Sequence, residues 1–337
     1  MTVVVAAYEF SSMRKWKFDS SFNWEDLETP KPSPSHATDT PVQSNDEVEK
    51  ELAHETPSLA ILIADSVLST RSGAGALRTV SAREECKIRK VSIEVSVPDF
   101  TPDGYVTGNH IPHLTHSCGV AYCGNHFTFG QVMNKFVREM EALVYTWNRA
   151  TGVYQIVGRN SDLALKPRSD QTFDESIDFR SHDLPGLDAA CVVANLQACI
   201  QSTINDIFAA RIEQGIDDGA SLHTEFALAL YCEYAKRPRI FHLDIVSDRD
   251  AFPEWFKVET RELRSTEILV LGKPSWKSAF ETQRAMAVGN NQSIFSALHR
   301  ECERRVRAEE VHNYVGGEVA CGHVDQNGFA FGHPKTY

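Results

Sequence analysis

The stretch that decides the fold is Ser221-Leu-His223-Thr-Glu225-Phe-Ala-Leu-Ala-Leu-Tyr231-Cys-Glu233-Tyr234, followed some 30 residues later by Glu267-Ile-Leu-Val-Leu-Gly272-Lys273-Pro-Ser275-Trp276-Lys-Ser278-Ala279. The first segment is rich in Leu and Ala, which favour helix. Ser221 is placed as an N-cap, and Pro238 lies just beyond Lys236. This reading predicts a helix over 221–236. In the second segment, a short apolar run closes on Gly272, so it predicts a buried strand and then a helix from about Ser275.

Working outward, Val91, Ile93, Val95 and Val97 alternate with period two and Pro98 follows, which predicts a strand. Apolar residues at helical spacing predict helices over 127–149, 189–214 and 292–310. Short strands are expected at Val153–Val157 and Arg239–Val246. Strands alternating with helices point to an α/β fold, a layered sheet with flanking helices.

Residues 29–58 are rich in Pro, Ser, Thr and acid and poor in large apolar residues. Such a segment buries too little surface to offset its ordering entropy. The expected organisation is an N-terminal arm over 1–28, a disordered linker over 29–58 and one α/β domain over 59–337. Trp16, Phe18, Phe22 and Trp24 would let the arm dock.

The composition supports a globular protein. Its net charge of −12 speaks against a protein that coats nucleic acid. No apolar run approaches the length of a membrane span, and MTVVVAAYEF lacks a basic n-region and a cleavage site, so no secretory signal is expected. The eight cysteines are dispersed, as in a reduced intracellular protein, so a cytoplasmic location is expected.

The order His-x-Glu, buried strand, Lys-x-Ser resembles the zinc-dependent deaminases, and more narrowly a deaminase-like family common in fungi. The resemblance covers roughly residues 189–285 and implies a deaminase-like three-layer core. It aligns His223 with the zinc-ligand histidine, Glu225 with the proton shuttle, and Lys273 and Ser275 with the residues before the first zinc cysteine. Trp276 and Ala279 stand where the two cysteine ligands belong, and one histidine cannot hold a catalytic zinc. The resemblance therefore implies an enzyme without metal or other cofactor.

A weaker resemblance, in size and single-domain organisation, is to the fungal arginine-containing cyclodipeptide synthases. It implies a transferase of secondary metabolism that joins aminoacyl groups from aminoacyl-tRNA, or another nucleotide-bearing substrate, and closes a diketopiperazine. Glu225 or Glu233 would bind the guanidinium and His223 would act as base. Tyr231, Glu233, Lys273 and Ser275 would complete the substrate site. The alternative is a pseudoenzyme whose cleft binds nucleotide, RNA or a protein.

Two other features stand out. The stretch 109–126 holds four His and two Cys and reads as a loop, either over a cleft or around a metal; it also supplies Cys118 and Cys123 as candidate partners for a histidine. Arg300, Arg304, Arg305 and Arg307 make a basic helix face, interleaved with Glu.

Overall fold

The computed structural model describes residues 3–10, 55–66, 68–71, 78–82, 86–174, 177–180, 184–215, 222–247, 255–310 and 318–332. The chain begins with β1 (Val4–Phe10) and β2 (Pro57–Asp65), then a small hairpin of β3 (Leu68–Arg71) and β4 (Arg78–Ala82). Two long strands follow, β5 (Ile88–Phe100) and β6 (Val106–Gly124), then α1 (His126–Met140), β7 (Leu143–Asn148), β8 (Val153–Gly158) and α2 (Ala189–Glu213). The second half holds β9 (Thr224–Cys232), β10 (Arg237–Ser247), β11 (Phe256–Glu262), β12 (Leu269–Leu271), α3 (Lys277–Gly289), α4 (Ile294–Glu310), β13 (Val319–Asp325) and β14 (Gly328–Phe331).

The strands form two large sheets. One has the order β12-β1-β2-β13-β14 and the other β11-β10-β9-β6-β5-β7-β8. All pairings are antiparallel except β5 with β7. The sheets lie face to face, with β2 over β10, β13 over β9 and β14 over β6. Phe280, Val288, Phe295, Leu298 and Val306 of α3 and α4 pack on the smaller sheet. Phe129, Val132, Phe136, Leu196, Ile200 and Ile204 of α1 and α2 cover the outer face of the larger one. The order of layers is helix, sheet, sheet, helix. The layered α/β class stands; the three-layer deaminase-like core is corrected to four layers.

This architecture explains the sequence. β1 and β2 are buried on both faces, between helices and the other sheet, so Val3 to Ala7 and Leu59 to Ala64 are continuously apolar. In β9, Phe226, Leu228, Leu230 and Cys232 face the helices, while Ala227 and Ala229 face the second sheet. Where a helix over 221–236 is predicted, Thr224–Cys232 is therefore a strand. Two buried faces erase the period-two signal, and Leu and Ala then mimic a helix. The predicted helix over 127–149 ends at Met140, and Leu143–Asn148 is a strand. The expected loop at 109–126 is mostly strand β6.

Residues 4–10 belong to the body as a fully buried strand, not to an arm. The linker segment 29–54 and the arm aromatics Trp16, Phe18, Phe22 and Trp24 lie outside the described residues. Pro57 and Ser58 open β2.

Two contacts lock the layers. The Glu9 carboxylate, buried at the end of β1, accepts hydrogen bonds from the Ile294 and Phe295 backbone N–H groups at 3.1 and 2.8 Å and from Ser293 Oγ at 2.8 Å. It satisfies orphan donors at the N-terminus of α4, where the helix dipole favours an anion. Between the sheets, the Phe329 ring fills the space over Gly119, where any Cβ would run into it.

Candidate active site at the head of the first strand

Lysine is almost never fully buried unless paired. Lys87 stands immediately before β5, and its side chain has 0% exposure. Its Nζ lies 3.2 Å from Oδ1 of Asp65, whose side chain also has 0% exposure. Asp65 closes β2 on the smaller sheet, whereas Lys87 leads into the larger one. The ion pair thus ties the two sheets together.

The same Oδ1 accepts the backbone N–H of Val3 at 2.8 Å, and the Asp65 N–H donates to the Val3 carbonyl at 3.2 Å. Asp65 therefore clamps the head of β1 and the Lys87 ammonium with one oxygen. The Lys87 carbonyl accepts from the Tyr122 N–H at 3.2 Å, which fixes Lys87 against the end of β6. Desolvating two charges costs several kcal/mol per ion before their attraction offsets it. A buried ion pair is weak evidence for stability and a pointer to chemistry.

Cys302 of α4 lies close enough to Asp65 to feel its charge. Its thiol is pushed far above the ordinary range, first by burial and then by Asp65 and nearby Glu side chains. It stays protonated at neutral pH and is no nucleophile there.

The surroundings of the pair come from both sheets. The register Val4 to Leu271 in the β1–β12 pairing brings Gly272 level with Val3. Lys273 comes next, with its Nζ 3.0 Å from Glu309 Oε2. Lys273 and Arg305 both lie over the Trp276 ring, at 5.7 and 5.4 Å from its centroid. Ser275 is exposed in the short turn Pro274–Trp276. On the larger sheet, β6 ends at Gly124 with φ +124°, where a side chain would run into the His223 carbonyl. Asn125 then caps α1, its side chain accepting from the Thr128 N–H at 3.0 Å.

The residues singled out from the sequence fall into three groups. His223, just before β9, is exposed, with Nδ1 3.9 Å from Asp244 Oδ1. Glu225 on β9 has Oε1 3.3 Å from His242 Nε2. Tyr231, six residues further along β9, is about 20 Å from Glu225 at strand rise and stacks on His116. Glu233 is beyond it; its Oε2 accepts the Leu187 N–H at 3.1 Å. Lys273 and Ser275 are on the smaller sheet's side, beside the head of β1. The fold thus brings His223 and Glu225 together, separates Tyr231 and Glu233 from them, and places Lys273 near the buried pair.

In the stretch 109–126, burial raises the Cys118 thiol to about 12, so it is no thiolate nucleophile. Among the described residues, no three His, Cys, Asp or Glu side chains converge as metal ligands.

Lys87 and Asp65 carry no sequence motif. The available signal was Asp65 closing an unbroken apolar run, Leu59 to Ala64.

No protein-family model matches the chain, and no curated protein matches it. Solved structures that are similar include the Gly-1 mutant of Anbu from Hyphomicrobium sp. strain MC1, at 10% identity and TM-score 0.37, covering 99% of this chain and 86% of that one. Anbu (ancestral beta-subunit) from Yersinia bercovieri has 11% identity and TM-score 0.37 over 79% of this chain and 77% of its own. A further Anbu structure from Hyphomicrobium sp. strain MC1 has 12% identity and TM-score 0.37 over 82% and 85%. None of these three is a deaminase or a cyclodipeptide synthase. Both resemblances drawn from the sequence are corrected: the His-x-Glu opens a strand instead of a helix, and two sheets packed face to face replace the three-layer core. The expectations of a fungal transferase of secondary metabolism go with them. Among the described residues, no helix is long and apolar enough to cross a membrane.

Proposed function

We propose that the chain is an acyl hydrolase that uses Thr2 as its nucleophile. The observation that carries the proposal is the wholly buried Lys87–Asp65 pair, held against the backbone N–H of Val3, the residue to which Thr2 is joined. Removal of whatever precedes Thr2 would free its α-amine, and a threonine hydroxyl activated by its own amine is an established nucleophile type.

An α-amine titrates near pH 8, which suits a general base. It would take the proton from Thr2 Oγ as that oxygen attacks the substrate carbonyl carbon. Lys87, paired with Asp65, would stabilise the negative charge developing on Oγ. The carbon–nitrogen or carbon–oxygen bond to the leaving group then breaks. The leaving group departs with the proton from the α-ammonium, leaving an ester on Thr2. Water, deprotonated by the α-amine, attacks that ester. The acid product leaves and Oγ regains its proton.

The sequence-level expectation of an aminoacyl-tRNA or other nucleotide-bearing substrate stays a separate proposal. The arginines of α4 support it, and two of these, Arg304 and Arg305, already pair with Glu301.

The test is mass spectrometry of the purified protein before and after treatment with a β-lactone acylating probe. The expected result is Thr2 as the N-terminal residue and an acyl adduct on Thr2, absent in Thr2→Ala and strongly reduced in Lys87→Met. Folded protein in which Thr2 is never N-terminal and never acylated would overturn the proposal.

A further inference from the structure

At the same end of the larger sheet as Lys87 is a cluster that the proposed hydrolysis leaves unused. β6 separates Lys87 from β9. The Lys87 carbonyl bonds to the Tyr122 N–H, and the next residue, Cys123, pairs with Glu225. Two strand spacings put the Lys87 and Glu225 backbones about 10 Å apart. Ala227, two residues along β9, and Cys123 belong to the core between the two sheets, so Glu225 stands on that same inward face.

Glu225 does not stand alone there. His242 is opposite Ala227 in the β9–β10 pairing, and Asp244 is two residues further along the same face of β10. His242 Nε2 lies 3.3 Å from Glu225 Oε1, and His223 Nδ1 lies 3.9 Å from Asp244 Oδ1. The wall grades from half-open to enclosed, with side-chain exposures of 36% for Asp244, 26% for Glu225 and 18% for His242. Asp244 Oδ1 is shielded from solvent and accepts no hydrogen bond. His242 Nε2 in the same group is likewise without a hydrogen bond, and buried polar atoms without a partner are uncommon and call for an explanation, a bound group being one.

We infer that Glu225 and Asp244, flanked by His223 and His242, form a subsite for a cationic side chain of the substrate, a guanidinium or an ammonium. Glu225 and Asp244 are joined on this face by Glu259, opposite Asp244 on β11, while the cation opposite the group, Arg261 across from His242, is engaged by Glu267 at 2.7 Å. Carboxylates thus outnumber cations on this face, which disfavours an anion, and a neutral side chain leaves the Asp244 oxygen unpaired. A cation with several N–H donors satisfies both carboxylates, and charge-assisted hydrogen bonds of this kind are the stronger ones. The spacing suits an extended basic side chain one or two positions from the scissile carbonyl. This inference rests on the Thr2 reading for its meaning as a substrate subsite, but binding to the wall does not need the nucleophile.

The test is therefore equilibrium binding to the full chain carrying Thr2→Ala, which removes the chemistry. The probes are N-acetyl-arginine amide and N-acetyl-norleucine amide, measured by calorimetry at low and high salt. The arginine probe is expected to bind and to weaken with salt, and the norleucine probe to bind at least about tenfold more weakly. Asp244→Asn and Glu225→Gln, nearly isosteric, should each weaken the arginine probe by about tenfold while leaving the norleucine probe unchanged. Equal binding of both probes, or arginine binding indifferent to both substitutions, overturns the subsite. If it fails while Thr2 is acylated in the wild type, the hydrolase reading survives; if Thr2 is never acylated while the arginine probe binds as expected, only the hydrolase reading falls.

Discussion

Lys87 Nζ and Asp65 Oδ1 stand 3.2 Å apart across the two sheets, and neither side chain has any exposure to solvent. The pair sits where β1 begins, so whatever it does structurally it does to the head of that strand. A buried ion pair costs dearly when one partner is lost, because the other is left as an unpaired interior charge.

Lys87→Ala and Asp65→Ala are each expected to lower stability by about 3–5 kcal/mol. The double change Lys87→Met with Asp65→Leu should recover most of that loss, because a well-packed apolar pair often replaces a buried ion pair at little cost. Chemical denaturation of the three variants measures this. The double variant should still fail to be acylated at Thr2, which separates the pair's chemical role from its structural one. A double variant no more stable than the singles would show that packing, not charge, dominates the site.

The thiols make a prediction about reactivity. Burial pushes Cys191, Cys199 and Cys321 up to about 11 and Cys118 to about 12. Each is held as the neutral thiol at pH 8, and the thiolate is the reactive form. Cys86 is exposed. Iodoacetamide at pH 8 should modify Cys86 first, and these four only after unfolding, as peptide mapping would show. The sign for stability follows. A folded-state value raised above the unfolded one gives stability that is complete below about pH 8.5 and lost as pH rises through 11 to 12. Rapid labelling of Cys118 in the native protein would contradict this.

Much of the layered α/β character was legible, and the reasons for the misses are physical. The helix at Ala189–Glu213 and the strand at Ile88–Phe100 showed their periods because each has one face against a core and one that is partly open. Ser221–Tyr234 did not, because β9 is covered on both sides; Phe226 and Leu228 face helices while Ala227 and Ala229 face a sheet. The first ten residues looked like the start of an arm because a low-complexity segment follows them, yet Val4–Phe10 is paired on both edges, with β12 and β2. Lys87 was invisible for a different reason. One lysine among many has no local signature, and only the fold brings it to Asp65.

Glu9 offers a test of how the first strand holds the helices. Its carboxylate takes two backbone N–H groups of α4 and the Ser293 hydroxyl, all in a buried setting. Hydrogen bonds to a charged group contribute about 1.5–3 kcal/mol each before context, and they are not additive. Glu9→Ala is expected to destabilise by about 2–4 kcal/mol. Glu9→Gln keeps one acceptor and should cost less. Hydrogen exchange should show the loss first at Ile294 and Phe295. Uniform loss of protection across both sheets, with none preferentially at these two amides, would argue against a capping role.

The contact between Gly119 and Phe329 predicts how closely the sheets must approach. A Cβ at position 119 runs into the Phe329 ring, and a Cβ at Gly322 meets the same ring from its own strand. Phe329 is buried and packs in the core between the sheets, so it has little room to withdraw. Gly119→Ala should therefore cost about 1–3 kcal/mol as overpacking. Phe329→Leu alone should also destabilise, by opening a void. The double variant should be more stable than the sum of the single losses implies, because the smaller ring-site residue vacates the volume that the new methyl fills. Strict additivity, read from the denaturation midpoints of the four proteins, would show that the sheets can shift apart to relieve the clash. The inter-sheet spacing, and with it the approach of Lys87 to Asp65, would then be adjustable.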